Sequence, residues 1–301
     1  VRSVGGAGGN SGNGGLAGGS LGIGGGAFTE IVRSIGDANN EQSNILAPLF
    51  NWAEDVSAGG HAGNVSIVNG GLNDKTIGAI LTEGSNSGAL IAQTRGGSGG
   101  DGGNGVGKIA LGGDGGRAGN AGAVDLENHA YLITAGDNSA AIAARSLGGA
   151  GGNGGNASSG DDEGAYLTFG GRGGAGGSAN QINILNQGII AISGQGSQGI
   201  LAQSIGGNGG NSGSGDSTYA GMGGGLLDTT IAQNFYRLGT SGEGGHSADV
   251  RINNGYSGDM NAGAIFTYGD QSDAIWAESL GGQGGAGGSA SGYLALAGDG
   301  G

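Results

Sequence analysis

The chain has 301 residues, of which 83 are Gly, one is Pro and none is Cys, and its formal net charge at pH 7 is −14. Collagen is excluded because it needs abundant proline and a strict Gly-X-Y period, and the absence of Cys excludes disulfides and thiolate metal sites. The negative charge argues against partners such as nucleic acid or an anionic membrane face, since both attract clustered Lys and Arg.

A short phrase of small apolar residues, Ser or Thr, and a closing Gly-Gly recurs along the chain. The chain begins inside one copy, Val1–Gly6, so we expect it to be part of a longer protein. Full copies occupy 87–97, 139–149, 194–207 and 272–282. Such repetition predicts an architecture in which each copy adds one unit to a stack. No apolar run reaches 18 residues, so no membrane insertion is predicted.

Two insertions, at about 24–57 and 216–244, interrupt the repeats. In each, apolar residues recur at the spacing of an amphipathic helix, so short helices are predicted over 28–36 and 226–238, lying on the wall of the stack. Pro48 interrupts a later apolar run, which is predicted to be a packed loop. Apart from these insertions, 1–301 is predicted to form a single domain.

Two strand-like phrases precede each repeated phrase. In the first, for example Val65–Asn69, apolar residues alternate at a period of two, which predicts a β-strand closed by Asn. The second ends in a Gly that lies ten residues before the key Ser or Thr in every copy. The closing residues are Asn69, Asn128, Asn186 and Asn254, and the key residues are Thr94, Ser146, Ser204 and Ser279. Stacked in register, the Asn residues are predicted to form an amide ladder.

These phrases predict an all-β fold, a parallel β-solenoid in which each unit buries its apolar face against its neighbours at about 4.8 Å per rung. Ile142, Ala144 and Ser146 are predicted to point inward, because the opposite parity would bury Arg145. Between the units lie Gly-rich tracts that flank a short strand. We expect them to form an additional, looser coil. Their period of three also suits extended threefold polyglycine helices packed side by side.

The combined phrase, V-x-I-x-N-x-G-x-I-x-T-x-G followed by S-x-G-I-x-A-x-S-I-G-G-x-G-G, resembles the passenger repeats of large Gram-negative autotransporter adhesins. The resemblance covers the chain except its two insertions. It implies a right-handed parallel β-helix, secreted through the outer membrane to the cell surface. It also implies roles in cell adhesion, aggregation or biofilm formation, with other cells, glycans, proteins or further copies as partners.

Catalytic chemistry is not expected. The three His residues do not form a Ser-His-Asp arrangement by spacing, and His61 and His246 are interpreted as turn residues of the repeat, at the position of Arg117 and Ser178. No cofactor is predicted. The acidic cluster Asp161, Asp162 and Glu163 is interpreted as a solvated loop tip, with a weak Ca²⁺ site as the alternative.

Aromatic residues are the stronger candidates for binding. Trp276, Phe266 and Tyr268 fall on outward parities of adjacent strands, and Tyr219 and Tyr236 fall in the second insertion. Such residues suit a glycan or protein ligand, unless the insertion packs over them. The leading hypothesis is a structural or adhesive surface passenger. The alternatives are a filament subunit locked through its Gly-rich tracts, and a β-helical carbohydrate-active enzyme.

Overall fold

The computed structural model describes residues 1–7, 14–15, 21–23, 58–70, 79–107, 109–159, 167–223, 241–255 and 263–301. Within these ranges the chain forms 23 β-strands and no helix, and its strands pair in parallel. The predicted all-β stack of parallel strands is confirmed. Among these residues, none belongs to a helix that could span a membrane.

The strands form five sheets that run along the stack, and consecutive coils supply neighbouring strands. Sheet A contains β1 (Arg2–Val4), β6 (Leu90–Arg95), β11 (Ala140–Leu147), β16 (Gln198–Ile205) and β21 (Asp273–Leu280). Sheet B contains β2 (Gly14–Gly15), β7 (Gly105–Val106), β12 (Ala157–Ser158), β17 (Gly215–Asp216) and β22 (Ala290–Ser291). Sheet C contains β3 (Leu21–Ile23), β8 (Ile109–Leu111), β13 (Leu167–Phe169), β18 (Ala220–Met222) and β23 (Leu294–Leu296). Sheet D contains β4 (Val65–Asn69), β9 (Val124–Asn128), β14 (Ile182–Asn186) and β19 (Val250–Asn254). Sheet E contains β5 (Ala79–Thr82), β10 (Tyr131–Thr134), β15 (Ile190–Ile192) and β20 (Ile265–Thr267).

Each coil visits sheets A, B, C, D and E in turn and then returns to sheet A. The key residues Thr94, Ser146, Ser204 and Ser279 align in one ladder on sheet A, as predicted. Identical phrases therefore lie over one another along a common axis. This register sets the position of every surface feature described below.

Sheets A, D and E enclose an apolar core, which we call the solenoid lobe. The alternating residues of each strand divide between this core and the outer surface, because successive side chains of a strand point to opposite faces. Ile142, Ala144 and Ser146 are fully buried, so the predicted inward parity is confirmed. The core continues through Leu126 and Leu132 into the neighbouring coils. Stacking thus completes a core that a single coil could not form.

The predicted amide ladder is present at the end of sheet D. The side-chain Nδ2 of Asn69 donates to Oδ1 of Asn128 at 2.8 Å, and Asn128 donates in the same way to Asn186 at 2.8 Å. Asn186 donates to Asn254 at 2.7 Å. Asn128 is fully buried and also bonds the backbone of Ala130. The ladder satisfies buried polar groups at a corner where the chain turns between sheets.

Two ladders of hydroxyl groups tie the corners of the solenoid lobe together. Ser146 Oγ donates to the carbonyl of Gly122 at 2.9 Å and accepts from the backbone N–H of Asn180 at 2.8 Å. It thereby joins sheet A to the chain that leads into sheet D. The second ladder lies at the start of the repeated phrase. There, Ser197 Oγ donates to the carbonyl of Gly136 at 3.0 Å. This serine lies next to Gly196, whose φ of +63° forms part of the tight turn.

The Gly-rich tracts form a second lobe, which we call the glycine lobe. Its outbound tracts connect sheets A and B (96–104, 148–156, 206–214 and 281–289), and its return tracts connect sheets C and D (58–64, 112–123, 170–181 and 241–249). Outbound tracts stack on one another in one layer and return tracts in a second. No looser coil is found among the described tracts, because the backbone is hydrogen-bonded both within and between these layers.

The hydrogen bonds of the glycine lobe repeat every third residue. Within the outbound layer, the N–H groups of Gly99 and Gly102 donate to the next coil, at 2.9 and 2.8 Å. Between layers, Gly116 N–H donates to the carbonyl of Gly100 at 2.8 Å, and Gly152 N–H donates back to Gly116 at 2.9 Å. This spacing is that of extended helices with three residues per turn, so the threefold alternative describes these tracts.

Close backbone packing explains why about two of every three residues in the outbound tracts are Gly. A Cβ at Gly148 would overlap the carbonyl oxygen of Gly177 in the opposite layer, and one at Gly149 would overlap the carbonyl oxygen of Gly97 in the same layer. The third residue of each turn faces solvent and can carry a side chain. Asn153 occupies such a position, and its Oδ1 accepts the backbone N–H of Asn211 at 3.0 Å.

Several sequence expectations fall outside the described residues or need correction. The helices predicted over 28–36 and 226–238 and the loop around Pro48 lie outside the described residues. His61 was expected at the position of Arg117, but its Nδ1 accepts the backbone N–H of Asn120 at 2.8 Å, which places it in the ladder of Asn120. The predicted position was wrong by three residues, one turn of the threefold helix, because Gly-Gly-X patterns align equally well at shifts of three.

Candidate functional site

Three of the predicted binding residues lie on the outer surface of the last coil. Phe266 in β20 is 47% exposed, Tyr268 just beyond it is 73% exposed, and Trp276 in β21 is 48% exposed. The turn between sheets E and A joins the two strands. Alternation directs these side chains outward, since the neighbouring Ile265 packs against the core. The predicted outward parity is therefore correct for all three.

The aromatic residues extend columns of apolar side chains that run along the stack. On sheet E, one outward column contains Leu81, Ile133, Ala191 and Phe266. On sheet A, the equivalent column contains Ile91, Ala143, Leu201 and Trp276. On sheet E, Leu81, Ile133 and Phe266 are well exposed, whereas on sheet A the middle members Ala143 and Leu201 are buried and only Ile91 and Trp276 are exposed. We call these two columns and Tyr268 the apolar face. Exposed apolar surface of this kind is typical of contact sites.

Tyr219 lies on the other lobe, beside sheet C, and its ring stacks on that of Tyr293 with centroids 6.4 Å apart. An outbound tract of nine residues separates sheets A and B, which at about 3.1 Å per residue amounts to about 28 Å. The structure thus divides the predicted binding surface into two sites. Tyr236 lies outside the described residues. Tyr293, which is largely exposed, was not identified from the sequence, although it follows Gly292 at the same repeat position as Tyr219.

A shallow concavity of about 530 Å³ lies over the outer face of sheet D. We call it the sheet D groove. Three consecutive strands supply its outward side chains, which are Asp125, Glu127, Asn183, Leu185, Arg251 and Asn253. Asp125, Asn183 and Arg251 form one column of the ladder. Asp125 and Arg251 each lie one coil from Asn183, on opposite sides of it.

Hydrogen bonds hold the polar groups of this groove in place. Asn183 Nδ2 donates to Asp125 Oδ1 at 2.8 Å, and Arg251 Nη2 donates to Asp249 Oδ2 at 2.9 Å. Glu127 Oε2 lies 3.6 Å from Nε2 of His129. The groove therefore presents carboxylate acceptors at one end, a guanidinium donor at the other, and an amide between them.

The metal prediction is not tested, because Asp161, Asp162 and Glu163 lie outside the described residues. In the part of the chain that the structure describes, no three His, Asp or Glu residues group as metal ligands. Asp101 Oδ1 accepts the backbone N–H of Asn153 at 2.7 Å. His246 N–H donates to Ser178 Oγ at 3.3 Å, in keeping with a repeat position.

Comparisons with known proteins identify no family for this chain. No protein-family model matches it, and no curated protein does. Among solved structures, it is similar to the nine polyproline type II helical bundle antifreeze protein of the springtail Granisotoma rainieri, at 18% identity. The match covers 78% of this chain and 91% of that one, with a TM-score of 0.13. A TM-score this low does not indicate a shared fold.

Proposed function

We propose that this chain is a structural and adhesive segment of a cell-surface protein, forming a rigid stalk or fibre whose outer faces contact other cells or surface ligands. The apolar face is the observation that carries this proposal. On sheet E its exposed column runs from Leu81 through Ile133 to Phe266, and Tyr268 and Trp276 lie beside it in the last coil. Exposed apolar side chains that recur in several coils suit adhesion, in which many weak contacts act together.

The repeated phrases support a more specific form of this proposal. Their resemblance to autotransporter passengers is consistent with the in-register parallel stack, and we propose export to the surface of a Gram-negative bacterium. We also propose that the coil is right-handed, because connections between parallel strands in one sheet are almost always right-handed. The net charge of −14 favours solubility and weak non-specific association.

Adhesion assays with the apolar face altered test the proposal. Beads coated with the full chain should attach to bacterial cells and to one another. The variant Phe266→Ser/Trp276→Ser should reduce the attachment constant about tenfold or more, because truncating aromatic contact residues costs about 2 kcal/mol or more. Val68→Ser, at an exposed apolar residue of sheet D outside the apolar face, is the matched control and should attach like the unaltered chain. Equal attachment of the double variant and the unaltered chain would contradict the proposal.

A further inference from the structure

The sheet D groove lies outside the apolar face and differs from it in chemistry. Its column of Asp125, Asn183 and Arg251 is polar, whereas the two columns of the apolar face are apolar. The second column places Leu185 between Glu127 and Asn253. A concave surface with an apolar centre and a few oriented polar groups is the usual form of a small-molecule or glycan site.

The polar groups offer both donors and acceptors at fixed positions. Carboxylates accept, a guanidinium donates, and an amide does both. Hydroxyl groups also donate and accept, so a ligand rich in hydroxyls can satisfy the whole column. Asn183 is hydrogen-bonded to Asp125 and Arg251 to Asp249. The amide and guanidinium groups are therefore oriented before a ligand binds. This lowers the entropy lost on binding.

Charge selects among hydroxyl-rich ligands. Asp125, Glu127 and Asp249 outnumber the single Arg251 around the groove, and the chain as a whole carries −14. A polyanionic glycan would therefore be repelled. The acidic groups attract a cationic peptide, but its ammonium groups only donate hydrogen bonds, so they would leave the Arg251 guanidinium facing like charge without an acceptor. A neutral glycan meets neither penalty, and its hydroxyls can replace the water bonded to these side chains.

We propose that the sheet D groove binds a neutral oligosaccharide lying along the axis of the stack. Neighbouring strands are about 4.8 Å apart, which is close to the length of one pyranose ring, so consecutive sugars would meet consecutive coils. Leu185 would contact a ring face, while Asp125, Asn183 and Arg251 would bond hydroxyls of successive sugars. This inference deepens the proposed adhesive function and rests on it only in treating the outer surface as a contact surface.

Calorimetric titration of the full chain tests this site with defined probes. Cellohexaose and mannohexaose represent neutral glycans, hexagalacturonate the anionic class and decalysine a cationic peptide. At least one neutral hexaose should bind, and neither charged probe should compete with it. Asn183→Ala should weaken that binding about tenfold, the value of one well-placed hydrogen bond. Ser66→Ala, in the same ladder position of β4 and outside the groove, is the matched control and should bind like the unaltered chain.

Three outcomes would overturn the assignment: no binding of either neutral hexaose, binding of decalysine alone, or an unchanged affinity in Asn183→Ala. Circular dichroism should show an unaltered β-spectrum for both variants, since both positions face outward. Bead attachment separates this inference from the proposed function. If beads attach but no hexaose binds, glycan binding by the groove is contradicted and the adhesive role is not. If a hexaose binds but beads do not attach, the adhesive role is contradicted and glycan binding by the groove is supported.

Discussion

The solenoid lobe and the glycine lobe belong to the same coils, yet different forces hold them together. In the solenoid lobe, side chains such as Ile142 and Leu126 fill a core, and burial of apolar surface stabilises the stack. In the glycine lobe, backbone hydrogen bonds run in two directions and the layers pack without side chains between them. One chain thus combines a core that depends on side-chain volume with a bundle that depends on its absence.

The two lobes should respond differently to mutations that change side-chain volume. Removing volume should damage the solenoid lobe, whereas adding volume should damage the glycine lobe. The last coil provides internal controls for both, because positions that are buried in the middle of the stack are exposed there. Three substitutions test this contrast.

Ile142→Ala should have the largest effect. It leaves a cavity among fully buried residues of sheet A, and such truncations cost about 2–5 kcal/mol of unfolding free energy. Ile275→Ala removes the same atoms at the equivalent position of the last coil, where the side chain is 43% exposed. Urea unfolding should show a much smaller loss for Ile275→Ala. Equal losses would mean that packing between coils does not stabilise this lobe.

Gly148→Ala should have the next largest effect. The added methyl group would overlap the carbonyl oxygen of Gly177, so the two layers must separate, and overpacking of this kind costs about 1–3 kcal/mol. Gly281→Ala is the control at the same position of the last coil, where the nearest atom to the added carbon is 3.8 Å away. Amide exchange of the tract residues around Gly148 should accelerate in the first variant only. Comparable stability of both variants would contradict the close-packed bundle.

Asn211→Ala should have the smallest effect. Asn211 Oδ1 accepts the N–H of Ala286 at 2.8 Å on the solvent-facing side of the outbound layer. Water can replace this acceptor, so the loss should be about 0.5–1 kcal/mol. The Ala286 amide should exchange faster in Asn211→Ala, while Asn211→Asp, which keeps an acceptor oxygen, should retain its protection. A loss as large as that of Ile142→Ala would show that side chains also hold the glycine lobe together.

Local sequence patterns were sufficient to predict the strands of sheets A and D, the inward parity of sheet A and both the Asn and the key hydroxyl ladders. These features follow from alternation within a strand and from identical phrases recurring in the chain. The outward orientation of Phe266, Tyr268 and Trp276 followed from the same alternation. Each of these predictions needed only residues within one phrase and the assumption that copies stack in register.

The tertiary structure decided which residues from different coils meet. Threefold Gly-Gly-X patterns align at several shifts, so the sequence could not show that His61 stands in the ladder of Asn120, nor that two layers of tracts share backbone hydrogen bonds. It also could not show that Asp125, Asn183 and Arg251 share one groove, because 58 and 68 positions separate these neighbours along the chain. The sequence by itself determined the unit and its repetition, through patterns that act over a few residues. Contacts between coils depend on register and lateral packing across the stack, and these become definite only when the coils lie against one another.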